Sequence, residues 1–200
     1  MAESARDRAI ALIAPHCDII ERLNDVPPSA RVRGWYFKSV MNLLRRHDRL
    51  AAFASYFPDA RRSSLTFYPL GDYLVRLAVA GAMVTSPERL HDGIFEIARQ
   101  NAASFASSLL GRVMLRVLDR DPVRLTQQGL AARRQSTTYG EWSIRRPGPT
   151  EIEMVYRGEY MWIESAVGGA AAGTFEMCGV KAQIETVLTD RYNGSTLVRW

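Results

Sequence analysis

The segment Thr137–Trp200 is cut by turn-forming residues into four short runs, and that spacing restricts the fold more than any other feature of the chain. In Thr150–Arg157, Ile152, Met154 and Tyr156 alternate with polar residues, the two-residue period of a strand with one buried face. Pro147-Gly148-Pro149 separates this run from Thr138–Arg145, so the two read as a hairpin. Lys181–Arg191 places Ala182, Ile184 and Thr186 on one face, and Asn193-Gly194 is a favoured two-residue turn into Ser195–Trp200, which predicts a second hairpin. Between them, Glu164–Met177 contains Gly168-Gly169-Ala170-Ala171-Ala172-Gly173. So many glycines argue against a regular helix, although small side chains would let a helix lie close on a sheet.

The residues before this segment follow helical periods. Ala5–Leu23 carries Ile10, Leu12, Ile13, Ile19, Ile20 and Leu23 but is interrupted by Pro15, leaving two short pieces, helical or extended. Val32, Trp35, Tyr36, Val40, Leu43 and Leu44 recur at spacings of three and four and predict a helix from about Gly34 to Arg46. Asp48 is expected to cap a short helix bearing Leu50, Phe53 and Phe57, which Pro58 ends. From Pro69, the residues Leu70, Tyr73, Leu74, Leu77, Ala78 and Gly81 make a nearly unbroken apolar face, with Asp72 and Arg76 expected outside. Ser86-Pro87 reads as the start of a helix running to Asp119, long enough to bend at Ser107-Ser108 or Gly111, and Asp121-Pro122 opens another to about Arg134. The expected fold is α+β, an N-terminal helical layer packed on a C-terminal antiparallel sheet of about four strands. It forms a single domain over 1–200, mainly helical in 1–136 and sheet in 137–200.

A hydrophobic share of 47% supplies a core and excludes a disordered chain. The net charge of +5 invites a polyanion partner, yet Lys38 and Lys181 are the only lysines and the basic pairs Arg45-Arg46, Arg61-Arg62, Arg133-Arg134 and Arg145-Arg146 are dispersed. A nucleic-acid groove needs such pairs gathered on one face with stacking aromatics between them, so no nucleic-acid partner is expected. Cys17 and Cys178 form no close ligand pair, which argues against a zinc site or a disulfide framework and points to a reducing cytoplasm. No stretch approaches about 20 uninterrupted apolar residues, so no membrane span is expected.

No motif for chemistry stands out. GxSxG, HExxH and the Walker loop are absent, and the Gly168–Gly173 run lacks the Lys-Ser/Thr ending of a phosphate cradle. Of His16, His47 and His91, only His91, with Leu90 and Ile94 beside it, has a setting that suits a metal or haem ligand, and a surface role fits it better. Cys178 reads as a small packing residue. The expectation is no enzyme, no catalytic residue, no metal and no cofactor. The aromatics are more informative: Trp35, Phe37, Phe67, Tyr73, Leu77, Phe105 and Cys178 are the candidates to line an apolar pocket, with Arg33, Arg76 or Arg99 supplying its polar groups.

The stretches Val32-Arg33-Gly34-Trp35-Tyr36-Phe37, Phe67-Tyr68-Pro69-Leu70, Leu110-Gly111-Arg112 and Val198-Arg199-Trp200, in that order, resemble an uncharacterised myxobacterial family of proteins of this length. More distantly, the layout and the glycines at 168, 173, 179 and 194 are similar to the 4-vinyl-reductase small-molecule-binding domains, the haem-nitric-oxide-binding fold and the Bet3 proteins. That resemblance implies helices on a twisted antiparallel sheet with a hydrophobic pocket, used for sensing or assembly. The chain departs from the haem branch in lacking Tyr-x-Ser-x-Arg, its nearest approach being Tyr139, Ser143 and Arg145, and from the 4-vinyl-reductase branch in lacking a cysteine cluster. The leading expectation is a non-catalytic regulatory or sensor domain holding a hydrophobic small molecule. The alternative is a protein-interaction or homodimerisation module with a filled core, and a third is a haem sensor or an enzyme of unknown class.

Overall fold

A computed structural model describes residues 4–59, 62–107, 109–118 and 120–200, with the backbone alone of 102–107, 109–111 and 114. Chain contacts divide it into two compact units, Met1–Ile97 with Ser136–Thr138, and Ala98–Gln135 with Tyr139–Trp200. Helices run to Ser136 and the four-stranded sheet begins at Glu141, so the α+β order read from the sequence is the observed one.

In the first unit both N-terminal pieces are helices, α1 (Ala5–Ile13) and α2 (Ile19–Asp25). The Ser4 hydroxyl accepts from the Asp7 N–H at 3.1 Å while the Asp7 carboxylate accepts from Ser4, a reciprocal cap that starts α1. Next come β1 (Arg31–Arg33), α3 (Trp35–Arg46), α4 (Leu50–Ala54), β2 (Phe67–Pro69) and α5 (Leu70–Val84). Asp48 does not cap α4; it adopts φ +55° after α3, a left-handed conformation that aspartate tolerates. The periodicity does not reveal β1 and β2, three-residue strands that pair antiparallel with Val32 opposite Tyr68. Thr138 joins them from far along the chain: its hydroxyl accepts from Arg31 N–H at 2.9 Å, and its own N–H donates to Arg31 O at 3.1 Å.

Helix α5 is buried on nearly every side, from Leu70 and Tyr73 to Ala82, and α1 to α4 pack against it. Arg76 is not outside, as the sequence pattern predicts; it is 4% exposed, because two aspartates neutralise it within the core. The region expected as one helix from Ser86 to Asp119 opens with a single turn at Pro87–Arg89 and is helical over α6 (Leu90–Ser107) and α7 (Leu109–Val117). Ser86 makes no side-chain cap, and Thr85 instead donates to Gly81 O at 3.0 Å and Arg89 O at 2.8 Å. Of the expected bend sites, Ser108 lies outside the described residues and Gly111 lies within α7.

In the second unit α8 (Pro122–Ser136) starts as predicted, the Asp121 carboxylate accepting from Val123 N–H at 2.8 Å. Strands β3 (Glu141–Arg145), β4 (Glu151–Arg157), β5 (Gln183–Asp190) and β6 (Asn193–Arg199) form an antiparallel sheet in the order β3-β4-β6-β5. The second hairpin turns two residues earlier than Asn193-Gly194 suggests. Asp190 opposes Asn193, leaving Arg191 and Tyr192 at the tip. The reason is Asp190, whose carboxylate accepts from Tyr192 N–H and from the Asn193 amide, both at 2.8 Å. Gly194 is needed in β6 for space, since a Cβ there would sit 2.4 Å from Val187 O beside the bulge.

The glycine-rich segment is helical after all. A π-helical turn at Ile163–Val167 leads into α9 (Gly168–Met177), which ends in a two-bond glycine stop. There Val180 N–H donates to Phe175 O and Gly179 N–H to Glu176 O, with Gly179 at φ +77°. Small side chains let this helix lie on the sheet, and Ile152, Met154, Tyr156, Val198, Ile163, Val167, Ala171 and Phe175 form one apolar cluster.

Candidate ligand-binding site

The first unit brings three sequence candidates, Phe37, Tyr73 and Leu77, into the interior, all at most 3% exposed. Phe37 meets Tyr73 edge-on at 5.3 Å and Tyr68 at 5.5 Å, and Tyr36 meets Tyr73 at 5.4 Å. Such edge-to-face contacts close the space between α3 and α5 with rings. Two guanidinium groups lie on this cluster: Arg76 is 4.4 Å from the Phe57 ring centre, and Arg62 is 5.0 Å from that of Tyr68. Each arginine binds the same two acids. Arg76 donates to Asp59 at 3.0 Å and Asp72 at 3.1 Å, and Arg62 reaches both at 3.1 Å.

The hydrogen bond from Arg76 holds the Asp59 carboxyl below the usual aspartate range. Asp59 is two-thirds exposed, so the energy is small. Its stabilisation is complete above the ordinary aspartate pKa near 4 and is lost as pH falls through the lowered folded value. In Arg76→Gln, carboxyl-carbon NMR should find the Asp59 titration moved upward; an unmoved midpoint would show that Arg76 does not hold the charge.

Trp35 and Phe67 do not line an interior, being 38% and 37% exposed. Trp35 stacks on Tyr36 at 4.0 Å, and Arg33 lies over Phe67 at 4.5 Å. Cys178 belongs to the second unit, and the side chain of Phe105 lies outside the described residues. Of the arginines proposed as polar groups, Arg99 donates to both Glu176 oxygens at 3.0 Å within the second unit.

The second unit contains a buried ionic centre that spacing does not reveal. Glu159 is fully buried and accepts from Arg133 of α8, from the Trp142 indole N–H at 2.7 Å and from Met161 N–H at 3.0 Å. Arg133 also donates to Tyr139 O at 3.1 Å and lies 4.5 Å from the Trp142 ring centre. Gly140, at φ +66°, lets the chain pass over it: a Cβ would come 2.8 Å from Gly158 O and 3.2 Å from the guanidinium. Nearby, Tyr156 is 1% exposed on the inner sheet face, and its hydroxyl makes no hydrogen bond of normal geometry. Burial raises its pKa, outweighing the adjacent Thr196 hydroxyl. Burial likewise pushes the thiols of Cys17 and Cys178 up to about 11.

His91 and His47 are exposed and His16 is half-buried. Among the described residues no group of three His, Cys, Asp or Glu side chains could hold a metal ion, and no helix is long and apolar enough to cross a membrane.

A family model described as a protein of unknown function, DUF2378, matches residues 26–200. No curated protein matches the chain. Among solved structures, the chain is similar to the Fe(II) unliganded H-NOX protein from K. algicida, with 14% identity and a TM-score of 0.66 over 84% of this chain and 95% of that one. It is also similar to a Cs H-NOX mutant, at 15% identity and TM-score 0.57 over 84% and 95%, and to a mutant of T. tengcongensis H-NOX, at 16% and 0.52 over 83% and 93%. At such identities the likeness shows the fold.

Proposed function

We propose, from the premise that this chain belongs to the DUF2378 family of unknown function, that it is a non-catalytic sensor or regulatory domain holding an apolar small molecule other than haem. The observation that carries this reading is the H-NOX fold, matched over 84% of the chain, since the solved proteins of that fold include a haem protein examined for the function of haem distortion. Fold alone does not transfer a ligand, so the residues must be tested against the group.

They do not fit haem. An axial histidine needs an apolar, enclosed setting with its second nitrogen oriented, and none of the three histidines is buried. Burial raises the Cys17 and Cys178 thiols to about 11 and raises the Tyr156 phenol as well, so iron would have to displace a firmly held proton from any of them. Tyr139, Ser143 and Arg145 do not converge: Tyr139 is buried, whereas Ser143 and Arg145 are exposed on β3. Protonated thiols are also poor nucleophiles, which supports a non-catalytic role.

What remains suited to a guest is the inner sheet face beneath α9, where the Thr196 hydroxyl is paired with that of Thr186 at 3.1 Å and the Tyr156 hydroxyl makes no hydrogen bond of normal geometry, so that a guest's polar atom would satisfy it. Native mass spectrometry of freshly purified protein should show a small apolar guest. Hemin added to the protein should keep the absorption band of free hemin. A bare polypeptide, or a bound haem, removes the reading. Tyr156→Phe separates guest from packing: with no guest, removing an unsatisfied hydroxyl stabilises by about 1 kcal/mol, whereas loss of an anchor lowers guest occupancy.

A further inference from the structure

In the first unit, three large apolar side chains are turned to solvent around the β1–β2 pair: Leu65 at 79% exposed, Trp35 at 38% and Phe67 at 37%. They are held there. The Arg33 guanidinium lies 4.5 Å over Phe67 and donates to Leu65 O, Gly34 N–H donates to Thr66 O at 2.9 Å, and Trp35 stacks on Tyr36. A bonded turn displaying an aliphatic tip beside Trp, Phe and Arg has the composition of an interface anchor. β1 and α3, the elements that precede and carry Trp35, bear basic residues and no acid. From Ala30 to Pro58 the basic residues are Arg31, Arg33, Lys38, Arg45, Arg46 and Arg49, against Asp48 alone, and the neighbouring acids Asp59 and Asp72 are engaged by Arg62 and Arg76.

We propose that the Trp35–Leu65–Phe67 surface docks an acidic segment of a partner protein, its apolar side chains meeting Leu65 and Phe67 and its carboxylates facing the basic residues of β1 and α3. Charge complementarity selects an acidic partner. Leu65, the most exposed of the three, selects a protein over a nucleic acid, because an aliphatic tip offers no face for base stacking, and Trp35 and Phe67 each already have one face covered. Strand addition is not the mode: β2 is three residues long and ends in Pro69, features that guard an edge.

The test titrates the full chain into a fluorescein-labelled peptide of about 15 residues alternating glutamate and leucine, read by anisotropy. Comparison peptides replace leucine by serine or glutamate by lysine, and a single-stranded oligodeoxynucleotide competes. The Glu/Leu peptide should bind at least about tenfold tighter than either comparison peptide; Leu65→Glu should weaken it about tenfold or more, and Lys38→Glu about threefold, with circular dichroism unchanged. Both positions are exposed, so both variants fold. The proposal is overturned by a lack of saturable binding, by equal binding of the serine peptide, by variants that bind like the parent, or by an oligonucleotide that binds more tightly than the peptide.

Discussion

Urea titration of Glu159→Gln, followed by tryptophan fluorescence, should show an unfolding free energy about 3–5 kcal/mol below that of the parent chain. The substitution keeps the shape of the side chain but leaves Arg133, 6% exposed, without its counter-charge in a site where water cannot replace it. Three of the four tryptophans, Trp142, Trp162 and Trp200, lie in the second unit, so fluorescence reports the unit that contains the pair. The penalty belongs to the stranded cation and not to the lost pairing. The double variant Arg133→Met with Glu159→Leu should therefore recover much of the loss, as buried ion pairs replaced together by apolar groups often do. A single variant as stable as the parent, or a double variant worse than the single, would show that the centre is not a compensated charge pair.

The second large effect concerns Gly93. A Cβ on that residue would lie 2.1 Å from Gly81 O and 2.7 Å from Gly81 Cα, and both are backbone atoms that cannot swing aside. Gly93→Ala must separate α5 from the start of α6, with an expected cost of about 3 kcal/mol, at the upper end of overpacking in a close-packed interior. Gly129→Ala is the matched control, because a Cβ there meets nothing within 4 Å and the residue is exposed in α8. It should stabilise by about 0.5–1 kcal/mol, the helix-propensity difference between the two residues. Thermal unfolding by circular dichroism distinguishes the pair; equal melting temperatures would mean that the helices at Gly93 have room to spare.

Periodic burial is legible in this chain and pairing is not. Tyr73, Leu74, Leu77 and Ala78 read as a buried helix face because a 3.6-residue period is a property of one segment. Ile152, Met154 and Tyr156 read as a strand for the same local reason. The burial of Arg76 and Arg133 escapes such a reading because Asp59, one of the two acids that neutralise Arg76, and Glu159, the acid that neutralises Arg133, lie 17 and 26 residues away. The same limit hides β1 and β2, whose pairing joins residues more than thirty apart. At Asn193-Gly194 the local turn preference is real, but the Asp190 carboxylate competes and places the turn at Arg191-Tyr192. Helix α9 is obscured by its internal glycines, although Gly179, its stop signal, is visible in the sequence.

For the candidate site, composition identifies the aromatics but not their roles. Phe37, Tyr73 and Leu77 pack inward while Trp35 and Phe67 face solvent, a division fixed by which side of α3 and β2 meets α5 and invisible in residue type. The Tyr156 hydroxyl stands in the sequence only as one position in a strand pattern. That it makes no hydrogen bond of normal geometry is a property of the assembled sheet.

Thr138 bonds to β1 across a separation of 107 residues. During synthesis the N-terminal unit therefore leaves the ribosome unfinished, with one edge of its small sheet waiting for a residue made much later. A chain stalled or cleaved before that point would leave the backbone N–H and C=O of Arg31 without the partners that Thr138 supplies.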